Sequence, residues 1–230
     1  MIDDKLEFTC LSSSGFLKHI RFKHSIEQLI SLYGQIPLPP YINRKPNMED
    51  SEFYQTVYAK VKGSVAAPTA GLHFDYDLIS KIRENGTLTD NVTLHVGAAT
   101  FLPIKEQNIK NHEMHSEKVF ISKELKKKII SVKKNKKKIY AVGTTSLRAL
   151  ESIKNINDEQ DENFETNLFI KPGYKFKIVD RLITNFHASK SSLYVLVKAF
   201  SKSNVDFIYA HAINQKYLFL SYGDAMLIER

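Results

Sequence analysis

The sequence predicts an α/β layered domain, and three observations carry that prediction. Short apolar segments of strand character alternate with amphipathic helical ones, glycines and prolines punctuate the joints, and polar clusters fall at the ends of the predicted elements. Residues 1 to about 24 place Leu6, Phe8 and Leu11 ahead of Ser12-Ser13-Ser14-Gly15 and Phe16-Leu17, which reads as two short strands around a turn. Ser25 caps a helix over 26–33 that Gly34 closes. Ile36-Pro37-Leu38-Pro39-Pro40-Tyr41-Ile42 is extended, since proline fixes its own φ and restrains the residue before it, and forms a rigid connector. Asp50 or Ser51 starts a helix through Tyr54 and Tyr58, and another runs from Tyr76 to Asn85 and stops at Gly86. Val92-Thr93-Leu94-His95-Val96 is a strand. Leu125, Ile129, Ile130 and Val132 share one side of a helix whose other side is mostly lysine. Ile139-Tyr140-Ala141-Val142 is a buried strand that runs into Gly143-Thr144-Thr145-Ser146 and a helix through Leu147 and Leu150. Residues 155–165 are acidic and polar, an exposed loop. Strand-like pieces return at 168–170 and 176–179, two helices at 193–200 and 205–215, and a last strand at 225–228.

The 230 residues are 43% hydrophobic and 25% charged, values of a folded globular chain. No apolar run is long enough to cross a bilayer, and Met1-Ile2-Asp3-Asp4-Lys5 has no signal-peptide character. The single cysteine, Cys10, excludes an internal disulfide and fits a reducing cytoplasm. A net charge of +8 favours polyanionic partners, nucleic acid among them.

The common phosphate-loop, dinucleotide, nucleophile-elbow and zinc-protease motifs are absent. What remains are polar clusters. Ala67-Pro68-Thr69-Ala70-Gly71-Leu72-His73-Phe74 joins two helices and carries a hydroxyl, a permissive glycine and an imidazole. His95-Val96-Gly97-Ala98-Ala99-Thr100-Phe101 leaves a strand through small residues that let a ligand approach the backbone. His112-Glu113-Met114-His115-Ser116-Glu117 offers acid/base groups, but no fourth ligand follows at recognisable spacing, so no metal is expected. Gly143-Thr144-Thr145-Ser146-Leu147-Arg148 places hydroxyls and free N–H groups at a helix start, either a site for an anion or carboxylate or simple capping by Thr144 or Thr145. Thr184-Asn185-Phe186-His187 and Ser221-Tyr222-Gly223-Asp224 each supply acid, base or sugar-hydroxyl partners.

Taken together and in order, these stretches resemble one family. Gly34 through Ile42, Tyr54-Gln55-Thr56-Val57-Tyr58, Val65 through Phe74, Val92 through Gly97, His112 through Glu117, Val142 through Leu150, Thr184 through His187 and Phe219 through Ile228 are similar to the S-adenosylmethionine:tRNA ribosyltransferase-isomerases of queuosine biosynthesis. The resemblance runs from residue 34 to the C-terminus. It implies a division into residues 1–33, an incomplete antiparallel β-barrel remnant of an N-terminally truncated chain, and residues 34–230, the α/β catalytic domain. Two departures stand out: Ala99-Thr100-Phe101 replaces Gly-Thr-Phe, and Ala188-Ser189 replaces the Leu-Pro after His187.

The resemblance also implies a reaction. The ribosyl part of S-adenosylmethionine moves to 7-aminomethyl-7-deazaguanine at the tRNA wobble position and is isomerised to an epoxycyclopentane, with adenine and methionine released. S-adenosylmethionine is then a co-substrate, no cofactor is needed, tRNA is the partner, and the enzyme is a cytoplasmic monomer. The alternative is a truncated, inactive relative that retains at most tRNA binding. His73, His95, His115, His187 and Asp224 are the acid/base candidates. Thr69, Gly71, Gly97, Thr144, Thr145, Ser146, Arg148 and Asn185 are the candidate binding residues. Their clusters are expected to meet in one cavity. Phe8, Phe16, Phe22 and Leu29 are expected to be exposed, and the lysines of 123–138 to face tRNA phosphates beside the ligand site.

Overall fold

A computed structural model describes residues 7–14, 17–97 and 116–230, and it is a mixed α/β structure. The chain opens on an antiparallel hairpin, β1 (Phe8–Ser14) and β2 (Leu17–Phe22), which pair with each other in a two-stranded sheet. In α1 (Ile26–Tyr33) the Ser25 hydroxyl accepts the Gln28 N–H at 3.2 Å, as the sequence predicts. Gly34 closes the helix because a Cβ there would collide with the Ile30 carbonyl. Phe8 is exposed and Phe22 half-buried, whereas Leu29, expected at the surface, is the buried side chain of α1. Phe16 lies outside the described residues.

The helix expected through Tyr58 is a single turn, α2 (Asp50–Phe53). The Asp50 carboxylate is gripped by both Arg44 guanidinium nitrogens at 2.6 Å and by the Asn47 N–H at 2.8 Å, and the backbone leaves helical geometry at Tyr54. A 3₁₀ turn follows at Thr69–His73, then α3 (Tyr76–Glu84), capped by Asp75. β3 (Thr93–His95) is the predicted strand. β4 (Glu117–Ile121) begins on the last residue of the 112–117 cluster; its alternating burial, with Glu117, Val119 and Ile121 inside, is the period of a half-buried strand. Then come α4 (Lys123–Lys134), β5 (Tyr140–Val142), α5 (Thr144–Glu151), β6 (Glu162–Thr166), β7 (Arg181–Asn185), α6 (Ser192–Phe200), α7 (Val205–Asn214) and β8 (Ala225–Glu229).

Two three-stranded sheets result. One is antiparallel in the order β3-β4-β6; in the other, β7 pairs parallel with β5 and antiparallel with β8. The described strands close no barrel. One apolar cluster runs from Val119 and Ile121 through Leu125, Ile129 and Leu147 to Leu182 and Phe200. No described helix is long and apolar enough to cross a membrane.

α5 joins the sheets by charge as well as packing. Arg148 donates to the Glu117 carboxylate on β4 at 2.6 Å and through Nε to the Leu168 carbonyl at 2.9 Å, with both side chains less than a tenth exposed. At the end of the helix, the buried Glu151 carboxylate accepts the N–H groups of Lys177, Ile178 and Val179 at 2.8–2.9 Å. This explains a misplaced expectation. Residues 168–170 and 176–179 look strand-like but are irregular, because side chains of α5 take backbone groups that a ladder would need. The pairing instead begins at Arg181. The predicted acidic loop is likewise cut short, its last residues forming β6 against β4.

Lysines on α4 depart from expectation too. Leu125 and Ile129 face the core as predicted, but Lys126 is buried with them and paired to Glu162 at 3.0 Å, while Lys128 and Lys133 bind Asp90 and Asp180. Helices α3, α4 and α7 end alike, with paired bonds back to the last turn and a left-handed residue: Gly86 (φ 79°), Lys136 (φ 54°) and Lys216 (φ 61°).

Two outcomes follow for urea unfolding. Arg148→Met, which strips the guanidinium from a buried carboxylate, should cost about 3–5 kcal/mol. Lys136→Gly and Lys216→Gly should each stabilise by about 0.5–1 kcal/mol, since glycine adopts the left-handed conformation without strain; equal or lower stability would mean the lysine side chains earn their place by other contacts.

Candidate functional site

Parallel strands β5 and β7 end at the same edge of their sheet, and that edge gathers most of the polar clusters. Carboxyl ends of parallel strands are open because the chain turns away into helices there. Gly143 leaves β5 with φ 88°, donating its N–H to the Ile183 carbonyl at 2.8 Å, and α5 begins at the next residue. Asn185 ends β7 opposite Ala225, the first residue of β8.

Asn185 is the hub. Its Oδ1 accepts the Thr69 hydroxyl at 3.1 Å, and its Nδ2 donates to His73 Nε2 at 3.3 Å and to the Gly223 carbonyl at 3.4 Å. The side chain is 2% exposed. A carbonyl can only accept, so Gly223 fixes which end of the amide is the donor. His73 Nε2 must then accept, and the neutral ring carries its proton on Nδ1. His73 itself is exposed. Three segments distant in sequence, 69–73, 185 and 223, are thereby held in one polar contact.

Behind Asn185, Thr184 Oγ1 lies 2.9 Å from His187 Nε2, and the His187 N–H donates to the Tyr209 hydroxyl at 3.0 Å. Burial pushes the His187 imidazole down to about 4 and the Tyr209 phenol up to about 12. Both groups stay neutral near pH 7. On the other side, Gly71 admits the segment carrying Thr56 and Tyr58; a Cβ there would collide with the Tyr58 hydroxyl. Burial raises the Tyr58 phenol as well.

At the start of α5 the cap position is Gly143 itself, with no side-chain cap, so neither Thr144 nor Thr145 caps the helix. Thr144 is buried, and Thr145 and Ser146 are half-buried. A Cβ on Gly143 would stand 4.0 Å from that of Ala70, which sets this turn against the Thr69–His73 turn. The 69–73, 143–146 and 184–187 clusters therefore share one end of the domain.

Other candidates lie elsewhere. His95 and Gly97 line a cleft of about 490 Å³ with Gly63, Ser116, Lys118 and Glu165, and none of Thr69, His73, Thr144 or Asn185 lines it. Ser64 fixes its rim, its hydroxyl accepting the Val96 N–H at 2.7 Å. Arg148 is committed to Glu117 and Leu168 within the core. Asp224 closes its own loop, accepting the Leu218 N–H at 2.7 Å. His112, His115 and Thr100 lie outside the described residues. The exposed lysines at 136–138 precede β5, at the opposite end of that strand from Gly143, roughly 10 Å away along three residues of strand.

The sequence reading singled out Ser221 and Tyr222 but missed the cluster of partners they meet beside the Gly223 loop. The Tyr41 and Ser221 hydroxyls are hydrogen-bonded, Tyr222 donates to Asp50 at 3.2 Å, and Arg44 holds the Asp50 carboxyl well below the usual range. Its residues lie 172 and 180 positions apart in the chain, so only the arginine-to-aspartate spacing gave any local sign of it.

A family model described as queuosine biosynthesis protein matches residues 4–228. The S-adenosylmethionine:tRNA ribosyltransferase-isomerase of Polynucleobacter asymbioticus is 51% identical over 217 residues, covering 94% of this chain and 62% of that protein. The protein of the same name from Rickettsia bellii is 47% identical over 232 residues, covering 100% of this chain and 65% of the relative. The crystal structure of S-adenosylmethionine tRNA ribosyltransferase from Thermotoga maritima aligns with a TM-score of 0.58 at 39% identity, over 69% of this chain and 51% of that one. The chain spans about three-fifths of the length of the curated relatives it matches.

The depressed His187 has a consequence for stability. Between its ordinary value of 6.5 and about 4, the unfolded chain takes up a proton that the folded one refuses, so the fold loses stability as pH falls through that window. The loss attributable to this residue is at most about 3 kcal/mol. Urea unfolding of wild type and His187→Gln at pH 7 and pH 4.5 should show a smaller drop for the variant. Equal drops would mean that His187 titrates normally.

Proposed function

Since the chain belongs to the queuosine biosynthesis protein family, we propose that it carries out the reaction for which its relatives are named, with S-adenosylmethionine as ribosyl donor and tRNA as acceptor. The acceptor is the aminomethyl group of a 7-deazaguanine at the wobble position, and adenine and methionine depart. The single observation that carries this reading is the Asn185 junction, where residues from three of the family-like stretches meet at the open end of the parallel strands.

The chemistry asks for a base that removes a proton beside the positively charged sulfur, and for an acid that protonates departing adenine. His73 is exposed, and with Nε2 facing the Asn185 amide its Nδ1 can hydrogen-bond to the adenine. Burial, which keeps His187 neutral, makes it a weak base, so its lone pair serves to hold the Thr184 hydroxyl. Asn185 positions His73 without touching the reacting atoms. Thr69, Thr145 and Ser146 would meet ribose hydroxyls or the methionine carboxylate beside the uncapped first turn of α5. His95 and Gly97, with His115 as the further candidate, would act from the cleft that His95 and Gly97 line. Gly71 and Arg148 act by packing, and Asp224 by holding the Gly223 loop. No resident cofactor is needed. The enzyme is read as a cytoplasmic monomer, with residues 34–230 as its catalytic domain and residues 1–33 as part of a β-barrel domain, a view supported by two strands paired with each other.

The test is adenine release from S-adenosylmethionine with an anticodon stem-loop bearing the aminomethyl base. Adenine should appear with the modified RNA, whereas S-adenosylhomocysteine would mark a methyltransferase, and RNA binding without adenine release would mark a binding-only relative. Asn185→Leu should lower the rate about 100-fold, and His73→Gln/Asn185→Leu should be no worse than His73→Gln alone. Additive losses would separate Asn185 from His73.

A further inference from the structure

Beside the site, the loop that supplies Gly223 also presents an aromatic ring built to stay in place. Tyr222 is 44% exposed, yet its hydroxyl is anchored to Asp50 at 3.2 Å and its ring meets that of buried Tyr54 at 5.6 Å in an edge contact. Asp50 is 2% exposed and locked by Arg44. The same loop is tied on its other side by Ser221 to Tyr41, a second tyrosine left 49% exposed. The Arg44 side chain is itself 45% open to solvent while it holds Asp50. An ordinary surface tyrosine has no such foundation. Here three buried or half-buried groups orient two rings whose surfaces remain open, next to a guanidinium and one residue from the carbonyl that holds Asn185.

Rigid exposed aromatics beside a cation are what unpaired nucleobases stack on, since every base offers a π face and an ordered ring loses little entropy on contact. A duplex offers no free face. We infer that Tyr222, with Tyr41 and Arg44, forms a stacking platform for unpaired bases of the RNA loop that delivers the acceptor base to the Asn185 site. The inference rests on the proposed function and adds to it the surface on which the RNA is held. It also separates two roles. Lysine contacts to phosphate position an RNA and read nothing, whereas a stacking platform discriminates a loop from a helix.

Fluorescence anisotropy with the full chain tests it, using an anticodon stem-loop and a fully paired RNA duplex of the same length. Wild type should prefer the stem-loop. Tyr222→Leu should weaken stem-loop binding roughly 10-fold or more and leave duplex binding unchanged. Tyr222→Phe keeps the ring but loses the bond to Asp50, and should bind the stem-loop within about 3-fold of wild type. S-adenosylmethionine binding should be the same in all three, which reports that the site is folded. Equal weakening in Tyr222→Leu and Tyr222→Phe would overturn the platform in favour of a structural hydroxyl. Unchanged stem-loop binding by Tyr222→Leu would overturn it too, and so would a wild-type oligomer that Tyr222→Leu dissolves in sedimentation, since the surface would then be covered by a second copy. Failure of the proposed function looks different: wild type then releases no adenine with the modified stem-loop, whatever Tyr222→Leu does to binding.

Discussion

A guanidinium buried beside a carboxylate is tolerable only when geometry is fixed, and that demand organises this protein. Arg148 on α5 and Glu117 on β4 are both less than a tenth exposed, so each would be costly without the other. The pair therefore ties the helix to the antiparallel sheet, and the Leu168 carbonyl takes a further guanidinium proton. One turn on, Glu151 collects three successive backbone N–H groups that approach β7. α5 thus spends its two long polar side chains inward, one on each sheet's surroundings. Its first turn, by contrast, has no side-chain cap. The helix is bolted at its middle and end and left open at its start, where the ligand would sit.

That arrangement explains why the site is assembled from pieces without being loose. Gly143 is held to β7 through Ile183, Asn185 ends β7 and spans to both the 3₁₀ turn and the Gly223 loop, and Ala70 stands close against Gly143. Each joint is only one or two hydrogen bonds or a contact, but all are anchored on the same parallel pair of strands. Because Asn185 is almost fully buried, what it gives the site is orientation of the groups it bonds, His73 among them.

What was legible in the sequence follows what is local in physics. Helix starts with serine, aspartate or asparagine caps, the Gly86 stop and strands β3, β5 and β8 were readable because their causes lie within a few residues. The clusters at 69–73, 144–146 and 184–187 were readable as polar groups at element ends for the same reason, and the structure brings them to one end of the domain. The failures were nonlocal. Residues 176–179 have strand composition, but their N–H groups belong to Glu151, some 27 positions earlier. Lys126 sits on a helix face that counts as polar by composition and is buried by Glu162, 36 positions later. Arg148 looked like a ligand's counter-ion because its partner, Glu117, is 31 positions away on a strand not foreseen. The Asp50–Tyr222 contact, 172 positions apart, had no sequence signal at all.

The lysines show how little a net charge says about where a polyanion binds. Of the nine lysines between 123 and 138, Lys126, Lys128 and Lys133 are balanced by Glu162, Asp90 and Asp180, so a third of the apparent patch is internal bookkeeping. The exposed ones at 136–138 lie at the end of β5 away from Gly143. An RNA loop entering at the Asn185 edge, as proposed, would meet different chemistry first: open tyrosine rings, an arginine already fixed in direction, and backbone groups at a helix start. Such a surface binds less strongly than a lysine field at low salt, but its contacts survive ionic screening because they are short-range. Distant lysines would then speed encounter through the long-range field. On the proposed reading the edge would decide which RNA stays, and selectivity for a loop would fall to residues whose partners lie far away in the sequence.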